Sequence, residues 1–199
     1  LNSTAYHFRC VATNLMGPVY GADIGFATPT TLSVNTLTNS GLGSLRQAIA
    51  DADPGDTITF ATNGTIILTS GQLTISDNLT IIGPGPGPAN LIVDGNDDSR
   101  IFRIMEGANV VTLNSLTLTN GRASDGGGIL VDSGATLWVT NCAILGNSAA
   151  NGAGIGNNGS LYLYNTQVSG NSASNFGGGL NITIGTNFIY NTSFTKNSA

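Results

Sequence analysis

Toward its C-terminus this chain repeats one phrase four times, and no other feature limits its possible folds so tightly. GATLWVTNCAILGNSAANGAGIGNN (from Gly134), GSLYLYNTQVSGNSASNFGGGLNIT (from Gly159) and GTNFIYNTSFTKNSA (from Gly185) match position for position. GANVVTLNSLTLTNGRASDGGGILVDS (from Gly107) matches them more loosely. The period is 24 to 27 residues, kept by the four glycines, by Asn114, Asn141, Asn165 and Asn191, and by Asn120, Asn147, Asn171 and Asn197. Short β-type runs and Gly/Asn turns recurring at such a period, without helical spacing, specify a solenoid.

Within each phrase a period of two separates the faces. Leu137 and Val139, then Leu161 and Leu163, alternate with Trp138 and Tyr162, so the aliphatic pair points to the core and the aromatic outward. A second run follows the first Asn (Ile144, Val168, Phe194). A small polar turn and a glycine cluster with one aliphatic residue (Ile129, Ile155, Leu180) complete the repeat. Three short strands per repeat, each coil rising about 4.8 Å, form a parallel β-helix. Stacking then sets Asn141 under Asn165 under Asn191, where side-chain amides can bond up and down the column.

The remaining segments fit around this unit. Residues 1–28 alternate from Tyr6 to Ala12, turn at Asn14 to Gly17 and return from Val19 to Phe26, which reads as a β-hairpin that needs something to pack on. Residues 29–199 form the solenoid: a cap over 29–56, irregular coils over 57–106 and regular repeats over 107–199. In the cap, Ser44 is placed as an N-cap, Leu45, Ala48, Ile49 and Ala52 fall at helical spacing, and Pro54-Gly55 is the stop. A helix there would shield the open first coil, a structural duty that also accounts for Arg46 and Asp51. The prolines of GPGPGP (Gly83 to Pro88) force that insert out of the ladder.

The phrases GGGILVDSGATLWVTNCAILGNSA and GNSASNFGGGLNIT resemble the right-handed parallel β-helix repeats of large bacterial secreted and cell-surface proteins, over about residues 31–199. GSLRQAI followed by PGDTITF resembles the entry segment preceding the coils in that family. YHFRCVATNLMG with GADIGFAT resembles the last two strands of a fibronectin type III-like domain. The resemblance implies an all-β, right-handed parallel β-helix with one short N-terminal capping helix and an N-terminal hairpin, found extracellularly or at a cell surface. It is specific to fold and says little of function.

Composition narrows the function classes. Only 9% of residues are charged, the formal charge is −5 and there are six Lys and Arg, which argues against nucleic acid and anionic membrane surfaces. No apolar run reaches the length of a spanning helix. The absence of an initiating Met and the start and stop inside recognisable patterns lead to the expectation of a piece of a longer or processed precursor. Cys10 and Cys142 are too few for a disulfide framework and are expected as two free, largely buried thiols.

Polysaccharide lyase or hydrolase chemistry needs clustered carboxylates and a cation to take developing charge. The one dense group is Asp94, Asp97, Asp98 and Arg100, which lacks a distal Glu and reads better as a solvated turn than as a metal site. His7 has no evident catalytic partner. No catalytic residue and no cofactor is expected. Trp138, Tyr162, Tyr164 and Tyr190 form an aromatic strip suited to cross-coil stacking, to a protein or self interface, or to glycan. The sequons at Asn2, Asn63, Asn78, Asn158, Asn181 and Asn191 are no more numerous than chance gives in a chain so rich in Asn, Ser and Thr.

These features lead to a non-enzymatic extracellular structural protein, adhesin-like or fibre-forming. Its expected partners are further copies joined head-to-tail through the N-terminal segment, with Tyr6, Phe8, Trp138 and Tyr162 as interface candidates, or neighbouring domains of a longer chain. The alternatives are a carbohydrate-active enzyme centred on Asp94 to Arg100 and a glycan-binding β-helix using the aromatic strip.

Overall fold

The alternation of apolar and polar residues becomes inward and outward rows of stacked parallel sheets. A computed structural model, which describes residues 5–108 and 110–199, shows a parallel β-solenoid of about six turns. Its seven-stranded sheet runs from Thr31–Val34 through Thr57–Phe60, Leu79–Ile82, Val111–Asn114, Thr136–Thr140 and Ser160–Tyr164 to Asn187–Tyr190. A six-stranded sheet begins at Gly64–Ile67 and ends at Ser193–Thr195, and a five-stranded sheet begins at Leu73–Ile75 and ends at Leu180–Ile182. The small polar turn expected after the second Asn is itself a three-stranded sheet, Arg122–Asp125, Ser148–Asn151 and Ser172–Phe176. The regular coils through those strands therefore carry four strands each rather than three. At the centre of this sheet Ala123, Ala149 and Ala173 stack in register, so small side chains let the backbone pair with its copy one coil on.

Register makes each core residue stack on its equivalent. In the seven-stranded sheet Ile81, Leu113, Val139, Leu163 and Ile189 form one inward row. In the six-stranded sheet Ile66, Val93, Leu118, Ile144, Val168 and Phe194 form another. Leu137, Val139, Ile144, Ile155, Leu161, Leu163 and Val168 are fully buried, as the alternation requires, but Leu180 is only half-buried. Leu180 belongs to the last of the paired strands in its sheet. The apolar residues beside it in the terminal strands, Ile182, Ile189 and Phe194, are more exposed still.

The asparagines form two columns, both slightly different from the sequence period. Asn141, Asn165 and Asn191 all take left-handed backbone conformations, with φ of 52°, 49° and 46°. Asn191 Nδ2 donates to Asn165 Oδ1 (2.7 Å), and Asn165 Nδ2 to Asn141 Oδ1 (3.3 Å). Asn114 pairs in register with Thr140, and Ser115 (φ 59°) takes the left-handed place below Asn141; Asn114 joins the column only through its side chain, accepting from Asn141 Nδ2 at 3.2 Å. In the inner column, Oδ1 of Asn171 accepts from both the backbone N–H and Nδ2 of Asn147 (2.9 Å each), and Oδ1 of Asn197 accepts likewise from Asn171 (3.0 Å each). Asn120 is outside this column. Its backbone (φ 54°) matches Gly146 (φ 61°), Gly170 (φ 67°) and Lys196 (φ 55°), and it is Gly121 N–H that donates to Asn147 Oδ1. The looser first repeat thus shifts both of its asparagines one place from the columns.

The glycine clusters are explained by closeness. A Cβ on Gly154 would collide with the carbonyl oxygen of Gly179 in the coil above, so glycine alone keeps that corner stacked.

At the N-terminal end the helix Leu45–Asp51 packs against Thr31–Val34 and Leu73–Ile75, the first strands of two sheets, burying Leu45 and Ala48. Ser44 caps it by accepting from Gln47 N–H. Arg46 fastens the helix by donating to the Gly71, Gln72 and Asn39 carbonyls. The GPGPGP insert leaves the ladder as expected and is tied back by Asn90 Nδ2 donating to Pro84 O.

The N-terminal segment is one interrupted antiparallel hairpin. Ala5–Phe8 pairs with Ile24–Ala27, and Val11–Asn14 with Gly17–Tyr20. It does not bury the face that its pattern offers: Val11, Val19, Tyr20 and Ile24 are each more than half exposed, and Leu15 and Met16 at the tip are fully so. The apolar side chains at Val11, Leu15, Met16, Val19, Tyr20 and Ile24 therefore stand largely open to solvent.

Two measurements check this account. Leu163→Ala should lower the unfolding free energy by about 2–5 kcal/mol in urea titration, because neighbouring coils share the cavity it leaves. Asn171→Ala should cost about 2 kcal/mol or more by orphaning the buried Asn147 N–H, whereas Asn165→Gly at the exposed left-handed position should be close to neutral.

Candidate functional site

The acidic turn between strands of the six- and five-stranded sheets is assembled by left-handed Asn96 (φ 58°) and Asp97 (φ 52°). Asp94 accepts from Asn96 N–H (2.8 Å) and from Asn120 Nδ2 (2.9 Å), so both of its oxygens serve the scaffold. Asp97 and Asp98 face solvent, and among the described residues no group of three or more potential metal ligands comes together. Arg100 turns away from the acids. Its guanidinium donates to the Asp125 carbonyl (2.9 Å), the Gly126 carbonyl (3.0 Å) and Gln72 Oε1 (2.5 Å), bridging successive coils. Burial, and secondarily nearby Arg103, draw its pKa below the usual guanidinium value. Arg103 itself pairs with Asp132 at 2.9 Å. His7 lies exposed on the hairpin, 3.1 Å from Asp23.

The two cysteines differ. Both are free, but Cys10 is exposed, contrary to the expectation of two buried thiols. Cys142 occupies the column position held by Thr166 and Thr192 one and two coils on. Its Sγ donates to Thr140 O (3.2 Å) as Thr166 Oγ1 does to Tyr164 O (2.9 Å) and Thr192 Oγ1 to Tyr190 O (3.0 Å). It is a sulfur stand-in for a structural hydroxyl.

Of the sequons, Asn2 lies outside the described residues. Asn78 Oδ1 accepts from Val110 N–H (2.9 Å), Asn191 Nδ2 is held in its column, and Asn158 and Asn181 are half-buried. Asn63 is exposed, in the loop before Gly64–Ile67. A nitrogen bonded in a column is not free to carry sugar, which sets Asn191 apart from the rest.

The outer face of the seven-stranded sheet collects the aromatic residues. One outward row runs Thr31, Thr57, Thr80, Thr112, Trp138, Tyr162, Phe188; the next runs Ser33, Thr59, Ile82, Asn114, Thr140, Tyr164, Tyr190. Trp138 stacks flat on Tyr162 (centroids 4.3 Å, planes 7° apart) and lies parallel to Tyr164 (5.7 Å, 2°). Tyr164 meets Phe188 and Tyr190 at tilts of 32° and 47°. Phe188 joins this strip although the sequence reading passed over it; the signal was its place two residues after Thr186, matching Tyr162 in the preceding phrase. Ring faces are spent on one another, because parallel register places each ring over the last. This supports the cross-coil stacking reading. The interface candidates Tyr6 and Phe8 lie on the hairpin, about half exposed, and are not brought to this face by strand pairing.

No protein-family model matches this chain, and no curated protein or solved structure shows significant similarity to it.

Cys142 gives a chemical test. Burial above all pushes its thiol up to about 12. In native protein at about pH 8 a thiol reagent should therefore modify Cys10 alone, with Cys142 reacting only in denaturant. The folded state holds the Cys142 proton more tightly than the unfolded chain, so this group leaves stability unchanged below about pH 9 and erodes it from there toward about 12. Cys142→Thr should remove that alkaline loss, read as the pH dependence of the urea midpoint.

Proposed function

We propose that the chain is a non-enzymatic structural protein, adhesin-like or fibre-forming, acting outside the cell or at its surface. The observation that carries this reading is the use made of the ionisable side chains. Arg46 and Arg100 are fastened to backbone carbonyls, Arg103 to Asp132, and Asp94 to neighbouring amides. Asp56 accepts from the Thr30 and Asp53 N–H groups. These charges hold successive coils together, whereas hydrolysis or elimination needs them facing a substrate. The resemblance to right-handed bacterial surface repeats, with an entry cap and a fibronectin type III-like hairpin, supports the same reading.

The proposal extends to head-to-tail assembly. The hairpin offers exposed apolar side chains at Val11, Leu15, Met16, Val19 and Ile24, and the last coil exposes Ile182, Ile189 and Phe194 beside strands paired on one side only. The helix Leu45–Asp51 covers the other end of the stack. Strand addition between the hairpin of one copy and the last coil of the next joins unlike surfaces, and such a contact need not close into a ring.

Sedimentation and negative-stain microscopy of the purified chain should show concentration-dependent oligomers elongated along one axis, reduced to monomers by deletion of residues 1–28 or by Ile189→Lys. A chain monomeric at all accessible concentrations would remove the assembly. Calcium-dependent cleavage of a uronate polysaccharide, abolished in Asp97→Ala, would replace the structural reading with an enzymatic one.

A further inference from the structure

The outer face of the seven-stranded sheet changes height abruptly between two coils. Thr57, Thr80 and Thr112 make a low row that is followed, in the same register position, by the indole of Trp138. The second row makes the same step one coil later, from Thr140 to Tyr164. A threonine side chain ends at its γ atoms, while an indole extends well beyond them. The face of Trp138 that looks toward Tyr162 and Tyr164 is occupied by those rings. The opposite face stands over Thr112, whose short side chain reaches less of it than a ring would, and Trp138 as a whole remains partly exposed.

The step therefore joins a partly exposed aromatic wall to a hydroxyl-bearing floor. Among the described residues the hydroxyls of Thr80, Thr112 and Thr140 have no protein partner. Asn114 spends its carbonyl oxygen on Asn141 and Ser115 and keeps its Nδ2 for another acceptor. None of the fourteen side chains in the two rows is Asp, Glu, Lys, Arg or His. Anionic polymers gain nothing from such a face, and a purely apolar partner would leave its hydroxyls unpaired. A pyranose ring has the matching chemistry, with a C–H face that lies against an aromatic plane and equatorial hydroxyls that exchange bonds with Thr and Asn at its rim.

We propose that the step formed by Trp138, Thr112, Asn114 and Thr80 is a binding site for a neutral polysaccharide, one sugar ring standing against the indole face over Thr112 with the chain continuing along the threonine row. The site differs from the aromatic strip read as a whole, whose inner ring faces are already taken. It stands on the sheet face alone and does not need the head-to-tail assembly, so either can fail without the other.

Trp138 is the only tryptophan of the chain, so its fluorescence reports the site directly. The intact protein would be titrated with cello-, xylo-, manno- and chito-oligosaccharides and with polygalacturonate as the acidic control, and assayed for retention on the corresponding insoluble glycans. The expected result is saturable binding to at least one neutral glycan with a change in Trp138 emission, and none to polygalacturonate. Thr112→Phe, which fills the floor with a ring over the indole while leaving Trp138 and the core in place, should weaken that binding at least tenfold with unchanged circular dichroism. Trp138→Ala should do the same. Failure of every neutral glycan to bind, preference for the acidic one, or retention of affinity in Thr112→Phe would each overturn the site. Concentration-dependent dimerisation that quenches Trp138 without any glycan would assign the face to a second copy instead.

Discussion

Everything in this molecule depends on parallel, in-register pairing of one coil with the next. Such pairing sets each residue over its equivalent at the strand spacing, so a side chain meets its own chemical kind above and below. Aliphatic residues make continuous buried rows, asparagines make amide columns, and aromatic residues make a ring stack. The repeat is a direct consequence, since only side chains that tolerate self-stacking persist in such a column. Where a different residue enters, it keeps the local chemistry: Cys142 donates to the same type of carbonyl as Thr166 and Thr192.

Turns make the stricter demand. Strands satisfy their backbone groups by pairing, but each corner has groups that the ladder does not reach. The inner asparagine column answers this by accepting, in one Oδ1, both a backbone N–H and a side-chain N–H of the coil before. Where the chain is less regular, arginine takes over, and Arg46 and Arg100 collect carbonyls that no strand satisfies. The low charge content and the placement of those few charges are thus two aspects of one design, which leaves long outer faces uncharged. On one of them a neutral hydroxyl row meets an aromatic stack.

The period, the inward rows, the single helix and the hairpin were all legible in the sequence, because each rests on local chemistry. Alternation fixes which side of a strand is apolar, Gly and Asn fix the corners, and Ser44 with Leu45 and Ala48 fixes the helix. Three-dimensional pairing decided the rest. Asn114 and Asn120 keep the sequence period yet fall one place out of the columns, since register is set by the backbone ladder and not by residue spacing. The three-stranded sheet at Arg122–Asp125 was hidden because Ser and Ala carry no strand signal of their own and pair only when a neighbouring coil presents an equivalent edge. Burial of the hairpin could not be read from its pattern, because alternation describes an apolar face without supplying a surface to cover it. The step at Trp138 likewise exists only between coils, where a threonine and an indole distant in sequence become neighbours one strand apart.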